Sequence, residues 1–323
     1  MLRQKMFMAV RLVLFLVGIQ LSVFGLAMAQ EKYPNRPVDL VVPSGPGGGA
    51  DQLARSIAPL FEKQLGVPLP VSNLPGAGGN AALIKVKAAK ADGYTMSVFM
   101  GRIICSWATL GLGDFKIDDF EWLSRLIKQE SFFFVKYDSP IKNANDLIRI
   151  AKAKELKVAI HGHGNLDDMT VRYLASKGLK LSGVPFAKPS ERYIAPLGGH
   201  VDLLYEEAGD VKSFLEAKQL RPIMIFSAKR SKFYPDVPTS YELGYNVGFP
   251  NWRGLVVKKG TSPDAIKALE AALKKIVESP AWEKYLLDEM AEPDSYLGPG
   301  DFRKQVYEEY DILDKFAKDY KLK

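Results

Sequence analysis

The sequence predicts an α/β protein whose sheets are largely parallel. Apolar runs at residues 38–43 and 69–72 are each followed by a glycine-rich turn and then by apolar residues at helical spacing. A third apolar run, at residues 94–100, follows the Asp92-Gly93 turn. Strands that alternate with helices pair in parallel, because each helix carries the chain back to the same end of the sheet by a right-handed crossover.

The helices that follow the first two strands are predicted at 50–65 and 81–89, and Gly66 should end the first of them. The second half of the chain repeats the order of strand, glycine-rich loop and helix. An apolar strand at 157–160 stops at His161-Gly162-His163-Gly164-Asn165, and a helix follows from Leu166 to Lys177. Further elements are predicted as strands at 131–135, 201–205, 222–227 and 252–257, a helix near Asp146 capped by Asn143 or Asn145, and two C-terminal amphipathic helices at 263–279 and 300–319.

Residues 101–125 are less regular, and their aromatic residues are interpreted as packing residues rather than as a stacking platform. Arg102 comes directly after the third predicted strand, at the end of a parallel sheet where ligands usually bind. It could contact the distal end of an anionic ligand, or it could form a surface or interdomain salt bridge. The sequence leaves both interpretations open.

The first glycine loop, Ser44-Gly45-Pro46-Gly47-Gly48-Gly49-Ala50, indicates an anion site. Glycines let a backbone approach a ligand, and the first N–H groups of a helix carry partial positive charge without internal partners. A dinucleotide site would need an acidic residue after the second strand, where the chain has Ser72-Asn73, and no Walker lysine follows the glycines. A carboxylate is therefore the favoured ligand, and a tight turn without a ligand is the alternative.

Composition narrows the class of protein. With 323 residues the chain can form two domains, and a single cysteine, Cys105, excludes intrachain disulfides and cysteine-cluster metal sites. The three histidines lack a metal-binding spacing, so no metal and no cofactor are expected. The formal charge of +7 is spread along the chain rather than gathered in a basic stripe, which argues against nucleic acid as a partner.

The N-terminus, residues 1–29, is predicted to be a signal peptide. Arg3, Lys5 and Arg11 precede a mostly apolar stretch, and Ala27-Met28-Ala29 fits the small-x-small cleavage rule, with Gln30 as the mature start. The apolar stretch is short for a full membrane span, so cleavage and release into the periplasm are favoured over a retained membrane anchor.

The mature chain resembles the periplasmic solute receptors of tripartite tricarboxylate transporters, the Bug family. The residues that carry the resemblance follow one another along nearly the whole mature chain. They are Tyr33-Pro34-x-x-Pro37, Val41-Val42-Pro43, Gly47-Gly48-Gly49-x-Asp51-x-x-Ala54-Arg55, Asn73-x-Pro75-Gly76-Ala77-Gly78-Gly79-Asn80, Ala91-Asp92-Gly93-Tyr94-Thr95, Val184-Pro185-Phe186, Gly198-Gly199-x-Val201-Asp202-Leu203, Ala228-Lys229-Arg230 and Pro235-Asp236-Val237-Pro238-Thr239.

The resemblance implies a two-domain periplasmic-binding-protein fold of the Venus flytrap, type II-like kind, with parallel-rich mixed sheets and two crossover connections. Domain one would comprise residues 30–132 and 252–323, and domain two residues 133–251. The implied function is capture of a small carboxylate between the domains and its delivery to membrane permease subunits. The ligand could be a di- or tricarboxylate, an aromatic acid or an amino acid, and a monomer is expected.

In the family, backbone groups and waters from one loop of each domain hold a ligand carboxylate. Carried over by position, these loops are 44–50 and 161–165. The chain departs from the family at Asn165 and Asp168, where serine and histidine are usual, and at Glu206, where aspartate is usual. Glu206 in the cleft would repel a second carboxylate and attract an amine. The predicted site comprises Ser44, Gly45, Pro46, Gly47, Gly48, Gly49, Ala50, Arg102, His161, Gly162, His163, Gly164, Asn165, Asp168, Phe186 and Glu206.

The sequence also bears on two other classes of function. An exported enzyme such as a hydrolase needs a nucleophile and a base, and the sequence has no G-x-S-x-G motif, so the chain is not expected to be an enzyme. A receptor that signals to a membrane sensor instead of feeding transport would use the same fold. The sequence cannot separate that alternative from a transport receptor.

Overall fold

The computed structural model describes residues 32–111, 114–292 and 294–322. The predicted signal peptide, residues 1–29, lies outside the described residues, and so does the predicted mature start at Gln30. None of the helices within these three ranges has the length and apolar character that a membrane crossing requires. The described residues nevertheless cover nearly all of the mature chain that the sequence predicts.

Two five-stranded sheets organise the protein. In chain order their strands are β1 (Asp39–Val42), β2 (Val71–Asn73), β3 (Thr95–Met100), β4 (Phe120–Gln129), β5 (Ser131–Lys136), β6 (Leu156–Ile160), β7 (Leu181–Pro185), β8 (Leu203–Glu207), β9 (Leu220–Ile225) and β10 (Asn251–Lys258). The first sheet has the order β2-β1-β3-β10-β4, and the second has the order β7-β6-β8-β5-β9. In each sheet a single strand, β10 or β5, runs antiparallel to its neighbours, so both sheets are mixed and rich in parallel strands, as predicted.

Ten α-helices in the described residues flank these sheets. They are α1 (Gly49–Leu65), α2 (Asn80–Ala88), α3 (Gly101–Leu110), α4 (Ala144–Ala153), α5 (Leu166–Ser176), α6 (Pro189–Ile194), α7 (Lys212–Glu216), α8 (Pro263–Val277), α9 (Pro280–Asp288) and α10 (Pro299–Asp319). Local sequence sets their ends. Gly66 ends α1 with a φ of 73°, and Asn143 Oδ1 accepts the Asp146 N–H at 3.0 Å before α4. The predicted end at Gly66 and the predicted cap at Asn143 are therefore confirmed.

The chain passes between the sheets twice. Glu130 alone separates β4 from β5, and residues 226–250 connect β9 to β10. We call the first sheet with helices α1–α3 and α8–α10 the first lobe, and the second sheet with helices α4–α7 the second lobe. The first strand after each crossing, β5 in the second sheet and β10 in the first, runs antiparallel to its neighbours. These two strands are therefore the reversed strands of the two sheets.

Residues 101–125 are more regular than the sequence indicated. They contain the helix α3 and the first half of the ten-residue strand β4. Eight of the ten residues of α3 are buried, because the first sheet and α10 cover it. Its polar residues Arg102, Ser106 and Thr109 recur at helical spacing, a signal for a helix that the prediction missed. Strand β4 is buried on both faces and shows no alternation of polar and apolar residues. Strand β7 and helix α9 are likewise elements that the sequence analysis did not identify.

The interpretation of the aromatic residues as packing residues is confirmed. The Phe99 ring contacts those of Trp107 and Trp122 at centroid distances of 5.4 and 4.7 Å, and Phe115 stacks on Trp107 at 5.4 Å. These rings fill the core of the first lobe beneath α3. They therefore fix the helix whose first turn carries Arg102.

Candidate functional site

The loop after β1 is fixed by an aspartate in the first turn of α1. Asp51 accepts hydrogen bonds from the Gly47 N–H and from Asn73 Nδ2, both at 2.9 Å. It also pairs with Arg55 Nε at 3.0 Å. Burial acts to raise the pKa of Asp51, but the hydrogen bonds from Arg55, Gly47 and Asn73 outweigh it and hold that pKa below its ordinary value. Asp51 therefore stays charged, and it holds Gly47 at a φ of 78°, which favours glycine.

The loop after β6 repeats this design in the second lobe. Gly164 has a φ of 76°, and its N–H donates to Asp168 Oδ2 at 3.0 Å. Each loop thus has a left-handed glycine whose N–H binds an aspartate four residues later. His163 Nδ1 lies 3.2 Å from Asp168 Oδ1, and the His163 side chain is 69% exposed. In this arrangement Asp168 shapes the loop, and His163 lies at its outer surface.

The second loop is docked on α3 of the first lobe. Asn165 Oδ1 accepts a hydrogen bond from Ser106 Oγ at 2.7 Å. The Gly164 carbonyl accepts one from Thr109 Oγ1, also at 2.7 Å. These contacts join the two lobes beside the predicted site, so the position of the second loop depends on closure of the lobes.

The glycines of the first loop face the second lobe at close range. A Cβ added to Gly48 would lie 2.8 Å from Pro189 Cγ in α6. A Cβ added to Gly49 would overlap Arg253 and the Asp210 carboxylate. The sequence predicted that these glycines let a ligand approach the backbone. In the structure the space beside Gly48 and Gly49 is filled by protein, so their lack of side chains allows the lobes to meet.

A cavity of about 210 Å³ lies between the two loops. Larger hollows of about 620 Å³ are open surface features and border neither loop. The predicted site residues that line the cavity are Ser44, Arg102, His161, Asn165 and Phe186. The predicted residues that do not line it are Gly45, Pro46, Gly47, Gly48, Gly49, Ala50, Gly162, His163, Gly164, Asp168 and Glu206.

Part of the cavity wall comes from residues that the sequence analysis did not assign to the site. The turn 75–79 follows β2 and precedes α2, with Gly78 and Gly79 at φ values of 66° and 103°. Its position after a parallel strand next to β1 was a signal that could have found it, because ligands bind at that end of a parallel sheet. Arg192 also lines the cavity, and its place on the short helix α6 gave no such signal.

Two polar groups in the cavity wall lack partners. The Arg102 guanidinium makes no hydrogen bond or ion pair with any residue of the described ranges. Burial, and then the positive charge of Arg192, lower the pKa of Arg102 from its ordinary value, although Glu206 and Glu207 oppose the shift. Ser44 is 8% exposed, and its Oγ is bound by no described residue. A half-buried cation and a buried hydroxyl without partners are costly unless a ligand satisfies them.

Arg192 is held in place by Glu206. Its Nε and Nη2 both donate to Glu206 Oε2, the first at 3.0 Å. Burial acts against the charge of Arg192, but Glu206 outweighs it and raises the pKa of Arg192. Glu206 is 0% exposed. In this geometry the Glu206 carboxylate is bound by Arg192 beneath the cavity wall, and a direct contact between Glu206 and the ligand stays a prediction.

His161 is the histidine that reaches the cavity. Its Nδ1 lies 2.8 Å from Asp167 Oδ2, and its Nε2 lies 3.8 Å from Glu206 Oε1. Burial and the charges of Arg192 and Arg102 lower the pKa of His161 well below its ordinary value. The imidazole is therefore neutral at pH 7, and it adds no charge to the cavity.

Behind the cavity, Arg253 connects the lobes through a buried ion-pair network. Its Nη2 lies 2.6 Å from Asp210 Oδ2 and 3.2 Å from Glu207 Oε2, and its Nη1 donates to Gln129 Oε1 at 2.5 Å. Glu206, Glu207 and Asp210 are close enough together to share a metal ion. Two of these carboxylates bind Arg253 and the third binds Arg192, so all three already have a guanidinium partner.

Two mixed α/β lobes, joined by two crossings and enclosing a polar cavity, define a solute-binding protein of the periplasmic type. The chain belongs to the receptor family of tripartite tricarboxylate transporters: the family model described as "Tripartite tricarboxylate transporter family receptor" matches residues 53–308. Receptors of this family are periplasmic solute-binding proteins rather than enzymes, and the family implies membrane permease partners. The resemblance that the sequence motifs indicated is therefore confirmed.

Sequence and structural similarity to individual proteins supports this family assignment. The chain is 32% identical over 271 residues to the "UPF0065 protein in gbd 5'region" of Cupriavidus necator, covering 83% of each chain. It is 28% identical over 283 residues to the protein BugT of Bordetella pertussis, covering 83% of this chain and 85% of BugT. Among solved structures, MatC of Rhodopseudomonas palustris with bound malate is 25% identical with a TM-score of 0.80, over 88% of this chain and 99% of MatC. A second R. palustris protein, solved with adipate, is 25% identical with a TM-score of 0.82, over 89% of this chain and 98% of that protein.

Proposed function

We propose that this protein is a periplasmic receptor that captures a small organic carboxylate between its two lobes and delivers it to a tripartite tricarboxylate transporter permease. Family membership and the structural neighbours solved with malate and adipate support this function. The observation that carries the proposal is the cavity between the two glycine loops, whose wall contains the unpaired Arg102 guanidinium and the partnerless Ser44 hydroxyl. An acid would satisfy both groups at once.

In this proposal one carboxylate of the ligand binds where the two loops meet. Ser44 and Asn165 supply hydrogen-bonding groups from opposite lobes, and Phe186 covers the apolar part of the ligand. The other predicted residues of loops 44–50 and 161–165 act through their backbone groups. The N-terminal ends of α1 and α5, which follow these loops, direct partial positive charge towards the same space.

We further propose that the ligand is enclosed by rotation of two domains, one comprising residues 30–132 and 252–323 and the other residues 133–251. The two crossings between the sheets would serve as hinges. Residues 1–29 would direct export and be removed after Ala29, so that the mature protein is a periplasmic monomer.

The test is thermal unfolding of the mature protein, from residue 30 onward, after removal of any co-purified ligand by unfolding and refolding. A panel of small mono-, di- and tricarboxylates, aromatic acids and amino acids would be compared with the neutral amides of the same compounds. An acid present at 100 times its Kd adds about 2.7 kcal/mol to the free energy of unfolding, which raises the midpoint measurably. A rise with one or a few acids, and none with their amides, is the expected result.

A rise with neutral amides or sugars and with no acid would contradict the carboxylate assignment. The delivery step has its own test. A strain without this gene should lose growth on the acid that the panel identifies, and growth should return with the gene on a plasmid. Undiminished growth would contradict a transport role while leaving the binding result intact.

A further inference from the structure

One face of helix α5 in the second lobe lies against the first lobe. The residues at helical spacing on this face are Asn165, Met169, Arg172 and Tyr173. Asn165 belongs to the second glycine loop, 161–165, and binds Ser106 in α3. The contact continues one turn further along α5, where Met169 Sδ lies 4.0 Å from Cys105 Sγ in α3. The helix that follows the second glycine loop is therefore part of the interface between the lobes.

The far end of this face packs against residues 316–322, which comprise the last turn of α10 and the residues that follow it. The Tyr173 ring contacts the rings of Phe316 and Tyr320 at centroid distances of 5.2 and 4.7 Å. Tyr173 is 2% exposed, and Leu322 is buried as well. Segment 316–322 belongs to the first lobe and Tyr173 to the second, so these aromatic contacts cross from one lobe to the other.

A line of polar contacts runs from segment 316–322 to the second glycine loop. Arg172 Nη1 donates a hydrogen bond to the Leu322 carbonyl oxygen. The same nitrogen lies 4.0 Å from Asp168 Oδ2, which accepts the Gly164 N–H at 3.0 Å. Asp168 shapes the loop, so a contact that the first lobe makes at Leu322 reaches the loop through two side chains of α5.

The aromatic contact is remote from the cavity. Tyr173 lies eight residues after Asn165, which corresponds to about 12 Å along a helix. Neither Tyr173 nor Phe316 nor Tyr320 lines the cavity. A change at Tyr320 therefore leaves in place the groups that would touch a ligand.

The aromatic contact also lies beside one of the two crossings between the lobes. Phe249 of the second crossing, residues 226–250, packs on Phe316 at 5.1 Å. Asn246 of the same crossing donates its N–H to the Tyr173 hydroxyl at 3.1 Å. Tyr320 lies outside both crossings. Rotation of the lobes about the crossings would move α5 relative to α10, so the contact between Tyr173 and Tyr320 depends on how far the lobes are closed.

We propose that Tyr173 is a positioning residue for ligand capture, and that segment 316–322 stabilises the closed form by holding Tyr173 and the helix that carries it. Packed aromatic rings attract each other beyond the effect of the area they bury. Ligand affinity depends on the fraction of the protein that reaches the closed form, so a contact made in that form raises affinity without touching the ligand. This inference rests on the proposed function, because it assumes that closure of the lobes encloses the ligand, but it holds for whichever acid binds.

The decisive variant is Tyr320→Ala, which removes the ring on the first lobe. The measurement is isothermal titration of the mature protein with malate, succinate and adipate as probes. For each acid that binds, affinity should fall by roughly tenfold, the loss expected when an aromatic pair and its buried area are removed from the closed form alone. Tyr320→Phe keeps the ring and should retain nearly the wild-type affinity.

Ile312→Ala is the matched control. Ile312 lies on the same helix, two turns before Tyr320, and its side chain is 56% exposed. This variant should bind as the wild type does. An equal loss of affinity in Ile312→Ala and Tyr320→Ala would show that α10 as a whole is disturbed, and it would overturn the assignment to the ring contact.

A second measurement needs no ligand. Spin labels on Ile84→Cys in the first lobe and Lys152→Cys in the second lobe report the distance between the lobes by pulsed electron paramagnetic resonance. Both positions are exposed, whereas Cys105 is 0% exposed and should stay unlabelled. In the unliganded protein, Tyr320→Ala should shift the distribution towards longer distances, and Tyr320→Phe should not. A purely local role of Tyr320 in folding would leave this distribution unchanged.

The outcomes separate this inference from the proposed function. Unchanged affinity together with an unchanged distance distribution in Tyr320→Ala would overturn the inference and leave the function intact. Tighter binding by Tyr320→Ala would also overturn it, because the contact would then hold the lobes apart. If none of the three acids binds, the proposed function fails for these ligands, and the distances in the unliganded protein alone decide whether segment 316–322 favours the closed form.

Discussion

Gly48 and Pro189 face each other across the cleft, and a Cβ on Gly48 would lie 2.8 Å from Pro189 Cγ. Real Cβ atoms do not approach other atoms so closely, and the proline ring cannot rotate away as a flexible side chain would. The glycine loop of the first lobe and α6 of the second lobe are therefore shaped for each other. This contact assigns to Gly48 a role in closing the lobes.

Gly48→Ala should weaken ligand binding, because the added methyl group holds the lobes apart in the closed form. Overpacking of this kind costs about 1–3 kcal/mol. If the closed form is destabilised by this amount and the open form is not, affinity falls by roughly 5- to 150-fold. The measurement is titration calorimetry with the acid identified by the thermal panel. The unliganded protein should unfold at nearly the wild-type midpoint, since an opened cleft relieves the clash.

Two further variants make this prediction specific. Gly45→Ala adds the same methyl group in the same loop, where its Cβ would lie 3.5 Å from Pro189 Cδ, an ordinary contact, and it should bind nearly as wild type does. Pro189→Ala removes Cγ and should restore affinity when it is combined with Gly48→Ala. Equal losses in the Gly45 and Gly48 variants, or no rescue by Pro189→Ala, would show that the backbone of the loop is what the substitution disturbs.

Ser44→Ala should raise stability and lower affinity. Ser44 Oγ is buried without a partner, so its removal relieves a desolvation cost of about 1 kcal/mol in the unliganded protein. Ser44 lines the cavity, and its hydroxyl would donate to the ligand, so affinity should fall by roughly tenfold. Chemical denaturation and calorimetry measure the two effects.

Ser124 provides the matched control for Ser44. Its Oγ is also buried without a described partner, but Ser124 lies in β4 and does not line the cavity. Ser124→Ala should raise stability in the same way and leave affinity unchanged. A loss of affinity in both variants would indicate a general effect of stability on closure, and unchanged affinity in Ser44→Ala would remove that hydroxyl from the site.

The local features of the site could be predicted from the sequence. A strand that ends in glycines before a helix predicts a loop with free backbone donors, and both loops formed where the pattern placed them. Arg102 could be found for the same reason, because it directly follows a parallel strand. The loops and the position of Arg102 depend on residues that are close together in the chain, so the order of residues is enough to predict them.

The charge pattern of the cleft could not be predicted from the sequence. Arg192 and Glu206 are 14 residues apart, and Arg253 meets Asp210 across a separation of 43 residues. The first pair depends on how α6 packs beside β8 within the second lobe, and the second pair depends on how the two lobes meet. No local periodicity encodes either arrangement. Glu206 could therefore be placed near the cleft, but the arginine that covers it could not. Helix α3 was missed for a different reason. Its polar stripe is short, and Ser106 and Thr109 in that stripe bind the second lobe rather than solvent.

Arg253→Met should be strongly destabilising. Arg253 is buried, and its removal leaves Glu207 and Asp210 without a positive partner in the interior. Loss of one member of a buried ion-pair network costs about 3–5 kcal/mol. Denaturant unfolding should show this loss, whereas Lys284→Met, which breaks the exposed pair with Asp288, should unfold close to the wild-type midpoint. A wild-type midpoint for Arg253→Met would contradict a structural role for the network.

Glu130, the residue that alone separates β4 from β5, should make stability depend on pH. Burial, followed by repulsion from Glu292, raises the pKa of Glu130 to about 7 from the ordinary value of 4.5, although Lys128 opposes the shift. The folded protein therefore holds a proton on Glu130 that the unfolded chain has already released between these two pH values. Stability must then fall as the pH rises through this window, because the folded state is the one that binds the extra proton.

Glu130→Gln keeps the size of the side chain and removes its charge, so it isolates this contribution. At pH 5 both forms are neutral in the folded state, and the variant should be nearly as stable as the wild type. At pH 8.5 the variant should be more stable by about 1–3 kcal/mol, because the wild type must hold a buried carboxylate whose Oε2 has no described hydrogen-bond partner. Denaturant unfolding at the two pH values measures this difference. Ser227 lines the same surface groove as Glu130, and Ser227→Ala changes no charge, so its difference in stability from the wild type should be the same at both pH values. If the difference for Glu130→Gln is also the same at both pH values, Glu130 does not titrate in this range.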